Sequence, residues 1–156
     1  MESSRWPDGT CFAEVLAREE ALLAAAHDPG ALRTWRTHLV AEVTDPESPY
    51  ASALGRAGCG DSDRAGFLEA WKRLIAAALE RIAGQQASDD GSTGRCGTAG
   101  RRIDADRTAV LVLAAVHGGV VLSRLSSHGR PIDAALDLAL APVLHADRGL
   151  DRSVRK

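Results

Sequence analysis

A chain of 156 residues with 45% hydrophobic and 26% charged content has the balance of one globular domain that buries a real core, which excludes disorder over its whole length. The formal net charge of -2 supplies no overall attraction to a polyanion, so nucleic-acid binding by this segment alone is not expected. Lysine occurs only at Lys72 and Lys156, and arginine is interleaved with Asp and Glu, the pattern of a salt-laced solvent face. Three cysteines, Cys11, Cys59 and Cys96, are odd in number, widely spaced and without a CxxC pair, so a reducing, cytoplasmic compartment is expected. The N-terminus lacks an apolar signal region. The longest apolar stretch, 109–122, is shorter than the roughly 20 residues that a bilayer span needs.

In chain order, residues 1–11 read as an irregular arm punctuated by Pro7 and Gly9. A first helix over 12–26 places Phe12, Val15, Leu16, Leu22, Leu23 and Ala26 on one face, with Glu14, Arg18, Glu19 and Glu20 assigned to the solvent side. Asp28-Pro29 is a cap followed by proline in the first helical position, and it opens a second helix that buries Leu32, Trp35, Leu39, Val40 and Val43. Ser48-Pro49 repeats the device for a short third helix over 50–57, stopped by the Gly58-Cys59-Gly60 cluster.

Asp61 or Ser62 caps a fourth helix, 63–83, with the cleanest stripe in the chain: Phe67, Leu68, Trp71, Leu74, Ile75, Ala78, Leu79 and Ile82. Gly84 is expected to end it. Residues 85–102 offer almost nothing to bury and read as a long flexible loop. A fifth helix starts at a cap on Asp104 or Asp106 and runs to Ser126, apolar almost all round, so it must be covered on more than one side. Pro131 opens a sixth with Ile132, Leu136, Leu140 and Leu144 spaced by four, Val143 beside them, and Pro142 placed to kink it or end it early. Residues 147–156 form a charged tail. No segment alternates with period two. The fold class expected is all-α: a six-helix antiparallel bundle over 12–146, its last two long helices forming a four-helix dimer interface with a second copy.

Catalytic signatures are missing: no phosphate-cradling glycine loop, HExxH, ExxH or GxSxG motif occurs. His38 and Glu42 lie four apart but lack a third ligand, so neither a metal nor a cofactor is expected, and the chain is read as a non-enzyme. Sparse aromatics gain meaning from their placement, because Trp35, Tyr50, Phe67 and Trp71 come from helices two, three and four. Large flat side chains that converge without interdigitating can leave a cavity for an apolar or aromatic ligand. His117, in mid-helix five, needs a hydrogen-bond partner there. A ligand, a backbone carbonyl and the dimer mate all remain open as that partner. Ala114-x-x-x-Gly118 and Ala115-x-x-x-Gly119 let another helix backbone approach closely, from the same chain or a second one.

The order of segments resembles the C-terminal domain of tetracycline-repressor (TetR) family transcriptional regulators. Leu32-Arg33-Thr34-Trp35-Arg36, Ser48-Pro49-Tyr50 through Leu54, and Asp63-Arg64-Ala65 through Leu79 are similar to successive ligand-domain helices. Residues 109–122 followed by Pro131-Ile132-Asp133-Ala134-Ala135-Leu136-Asp137 resemble the dimerisation pair. Ser48 and His117 depart from the residues common at those places.

The resemblance implies a domain that senses a small hydrophobic or aromatic effector and homodimerises for transcriptional regulation, as in a repressor. DNA is then contacted only through a helix-turn-helix head, for which the residues before Phe12 leave no room, and no membrane is involved. Ligand contact is expected at Trp35, His38, Leu39, Tyr50, Leu54, Phe67, Trp71, Ile75, Leu113 and His117. Dimer contact is expected at Ala114, Ala115, Gly118, Gly119, Leu122, Ile132, Leu136 and Leu140. The alternatives are a stand-alone partner that titrates a full-length regulator, and a small helical enzyme acting on a hydrophobic substrate.

Overall fold

The computed structural model describes residues 10–55, 60–90, 103–126 and 130–145. They form six helices and no strand: α1 (Thr10–Ala24), α2 (Pro29–Thr44), α3 (Pro49–Gly55), α4 (Asp61–Asp90), α5 (Ala105–Ser126) and α6 (Arg130–Leu144). The expected arm ends sooner than its bounds of 1–11, because Thr10 and Cys11 belong to α1 and Cys11 is buried; the rest of the arm, most of the expected loop and the charged tail lie outside the described residues.

Local chemistry accounts for most boundaries. Asp28 caps α2, its Oδ1 accepting the Ala31 N–H at 2.8 Å with Pro29 next in line, which satisfies one of the donors that a helix start leaves free. Of the two candidates for α5 it is Asp104 that caps, accepting the Arg107 N–H at 3.0 Å. At α4 the helix already includes Asp61, and the carbonyl of Gly60 receives the first turn's N–H groups from Asp63 and Arg64.

Gly84 does not end α4, which continues to Asp90. Glycine stops a helix by adopting a left-handed conformation and is tolerated inside one at modest cost. Here Gln85 and Gln86 continue the turn, and the Ser88 hydroxyl bonds back to the Gly84 carbonyl at 3.0 Å. Pro142 likewise sits inside α6, in its last turn.

Arginines from other helices satisfy several helix ends. Arg81 donates to the Leu23 carbonyl at the end of α1 (2.6 Å), Arg33 to the Leu144 carbonyl at the end of α6 (2.7 Å), and Arg64 to the Leu54 carbonyl in α3 (3.3 Å). Each joins a cation to the negative end of a helix dipole. Arg36 adds ion pairs from α2 to Asp133 (3.0 Å) and Asp137 (2.9 Å) of α6.

The core runs through all six helices. α5 packs most closely with α6 and α4, its buried face being Ala105, Thr108, Ala109, Val112, Val116, Gly119 and Val120. A side chain at Gly119 would start 2.7 Å from the Ile132 Cα, whereas at Gly118 it would meet nothing within 4 Å. Ile132, Leu136 and Leu140, expected at a dimer interface, are fully buried within the chain, as is Gly119. The correction has a simple cause: Ala115-x-x-x-Gly119 serves the approach of α6 in the same chain, while Ala114 and Gly118, one position earlier and so about 100° round the helix, face outward.

α5 is therefore covered on one side and open on the other. This 22-residue helix contains an 18-residue window of mean hydropathy 1.8, so it is also long and apolar enough to cross a bilayer, which the 109–122 stretch alone is not. Core helices share that property, and this one packs against α4 and α6.

Two glycines distinguish packing from propensity. Gly119→Ala should force α5 from α6 and cost roughly 1–3 kcal/mol, whereas Gly84→Ala, exposed with nothing within 4 Å, should gain about 0.5–1 kcal/mol. Urea denaturation of both variants measures the difference, and equal effects would contradict the close α5–α6 contact.

Candidate functional site

The residue that organises the interior is one the sequence pattern assigns to solvent. Glu19 is fully buried, because Phe12, Val15, Glu19 and Leu23 follow one another at helical spacings of three and four on the inner face of α1. Its carboxyl group receives three hydrogen bonds from three other helices. The Tyr50 hydroxyl of α3 donates to Oε1 at 2.7 Å, and the indole N–H groups of Trp35 in α2 and Trp71 in α4 donate to Oε2 at 3.0 and 2.8 Å. No Lys, Arg or His among the described residues forms an ion pair with it.

Rings surround this group. Phe12 and Phe67 stack with centroids 4.5 Å apart, Phe67 lies 5.5 Å from Trp71, and Tyr50 meets Trp71 edge-on at 6.0 Å. Burial pushes the Glu19 carboxyl above the usual carboxylate range, and the bonds from Tyr50, Trp71 and Trp35 offset part of that effect. The Tyr50 hydroxyl is pushed far above its ordinary value, first by burial and then by the neighbouring Glu19 charge, so it acts as a neutral donor. A polar relay lies beside it: the Tyr50 N–H donates to Ser48 Oγ (3.2 Å), the Ser48 hydroxyl donates to Glu42 (2.6 Å), and Arg18 bridges Glu42 (3.4 Å) and Glu14 (2.8 Å).

Of the residues expected to meet a ligand, Trp35, Tyr50 and Trp71 converge on one point, and Phe67 joins them through its ring contacts. Leu39 and Ile75 are buried in the same core. Leu54, Leu113 and His117 are half-buried and His38 is exposed. His117 Nδ1 lies 3.0 Å from the Leu113 carbonyl one turn back, so its own helix supplies the partner its position demands. The space that converging aromatics were expected to leave open is taken by the Glu19 carboxylate. A separate open depression of about 530 Å³ lies along the outside of α4, lined by Glu80, Arg81, Gly84, Gln85 and Ser88.

The cluster gathers three neutral donors around one buried acceptor. No group of three His, Cys, Asp or Glu among the described residues is placed to hold a metal. The signal that could have revealed Glu19 was its spacing, four from Val15 and four from Leu23, together with a surplus of buried N–H and O–H groups that required an acceptor. No family model, curated protein or solved structure matches the chain.

Glu19→Ala would orphan three buried donors at roughly 1–3 kcal/mol each. Removal of the buried charge recovers part of that, so a net loss of about 2–4 kcal/mol is expected. Tyr50→Phe, which removes one donor, should lose about 1 kcal/mol. Chemical denaturation measures both, and a Glu19→Ala variant as stable as the parent would show that the cluster is not cohesive.

Proposed function

We propose that this chain is a homodimerising, effector-sensing domain of the kind found in TetR-family transcriptional regulators, acting by binding rather than catalysis in the cytoplasm. The observation that carries the reading is an uncovered apolar seam on α5. Leu111, Ala114, Gly118, Val121 and Leu125 succeed one another at spacings of three and four, and all are exposed, Leu125 at 78%. That is the heptad spacing by which one helix packs along another. Val110 and Leu122 widen the seam, and Leu138 of α6, 80% exposed, adds to the apolar surface of the same helix pair.

A second copy is the occupant that best fits. A two-fold axis sets a surface against itself, so a stripe that is apolar throughout meets an identical stripe with no charge left unpaired. Gly118, with open space over its Cα, sits mid-seam, where two helices could cross closely. The resemblance in segment order favours the same pairing of helices. Of the residues named for the interface at the outset, Ala114, Gly118 and Leu122 remain in this proposal, and half-buried Ala115 borders it.

The sensing half rests on the aromatic cluster. Trp35, Tyr50, Phe67 and Trp71, on three helices, are buried around Glu19, so a flat apolar effector would bind by displacing part of that packing. Cys11, a buried free thiol, fits a reducing compartment.

Sedimentation and light scattering should give the mass of a dimer. Leu122→Glu and Gly118→Glu should each weaken association by at least about a hundredfold while leaving the helical circular dichroism intact. A monomeric parent protein at micromolar concentration would overturn the dimer reading.

A further inference from the structure

The hydrogen bonds around Glu19 are those of a charged carboxylate. Tyr50 donates to Oε1, and Trp35 and Trp71 donate to Oε2, so a proton added to the carboxyl group would leave one buried hydrogen without an acceptor. The group is fully buried, and no cation among the described residues pairs with it. Arg18, its neighbour on α1, is engaged with Glu14 and Glu42, and His38 of α2 is exposed. Three neutral dipoles replace part of the solvation that burial removes. A charge of opposite sign is what a buried anion still lacks.

We propose that Glu19 is the recognition residue for an organic cation, an ammonium group carried on an aromatic or apolar body; this deepens the effector-sensing reading and rests on it. The acceptor geometry has a place for such a group. Each carboxylate oxygen has room for two hydrogen bonds. Oε2 has both filled by indoles, whereas Oε1 holds only the bond from Tyr50. The rings suit the rest of the ligand, because the negative face of an aromatic ring attracts a cation and its body packs against an apolar one.

Room for the ligand comes from the donor that is held least. Tyr50 belongs to α3, which has seven residues and is anchored by Pro49, Tyr50 and Ala53, whereas Trp35 and Trp71 belong to helices of 16 and 30 residues. Tyr50 also bonds the oxygen with the vacant position. An ammonium N–H at Oε1 would therefore take the place beside or instead of the Tyr50 hydroxyl, while the two indoles keep the carboxylate fixed through Oε2. Discrimination follows from charge. A neutral ligand of the same shape leaves Glu19 uncompensated, and an anion adds a like charge to a site without water.

The test titrates the full chain with three probes of similar shape, phenethylammonium, phenethyl alcohol and phenylacetate, and follows the indole N–H NMR signals of Trp35 and Trp71. Those signals report contact at Glu19 itself, so adherence of a cation to surface carboxylates does not count. The ammonium should bind at least about tenfold more tightly than the alcohol, and phenylacetate should not bind. Glu19→Gln should erase the advantage of the ammonium over the alcohol. Tyr50→Phe, which empties Oε1, should enlarge it. Equal affinities for ammonium and alcohol in the parent protein, or an advantage that survives in Glu19→Gln, would overturn the cation site and leave the sensing reading standing. If no probe shifts either signal at millimolar concentration, both readings fall. If Glu19→Gln does not fold, Tyr50→Phe decides, and an advantage that shrinks there overturns the proposal.

Discussion

The interior of this bundle is referenced to a single carboxylate. Apolar contacts hold helices together without fixing their rotation or axial register, because area burial has no direction. Hydrogen bonds do, and three of them meet at Glu19, one from each of α2, α3 and α4. Turning any of those helices by one residue would carry Trp35, Tyr50 or Trp71 about 100° away and strand a donor. A buried ionisable group of this kind is a poor source of stability and is best understood as a device for specifying one arrangement. The pair of phenylalanines at its edge, stacked at 4.5 Å, adds contact without direction.

α5 shows how one residue type carries two meanings at adjacent positions. Gly119 is small because the backbone of α6 occupies the place of a side chain, whereas Gly118 meets nothing in its own chain. The neighbouring alanines divide the same way, Ala115 inward and Ala114 outward. A helix that is apolar all round in sequence thus resolves into an inner face used by the fold and an outer face available for association.

Much of the architecture was legible because it rests on local rules. Helix count and order, the Asp28-Pro29 and Asp104 caps, and the stripes through α2 and α4 follow from period and capping chemistry. What escaped was tertiary. Gly84 reads as a stop from sequence, and only the continued hydrogen-bonded turns show otherwise. Glu19 was assigned outward because a charge is normally solvated, and its burial depends on donors 16, 31 and 52 positions away. Trp35, Tyr50 and Trp71 were singled out as a convergent set, but their common partner was invisible to a reading that sorted residues by polarity before face. Ile132, Leu136 and Leu140 were recognised as one face, yet sequence periodicity does not distinguish an intrachain neighbour from a second copy.

The arginines that close the helix ends bear on how the bundle assembles. Arg33 reaches the Leu144 carbonyl across 111 positions, and Arg36 reaches Asp133 across 97, so the α2–α6 seam joins regions near opposite ends of the described chain. Contacts so distant in sequence require a large loop to close before they return any energy. Those around Glu19 span at most 52 positions. The bonds around Glu19 therefore close shorter loops than the α2–α6 seam does, at a smaller cost in chain entropy.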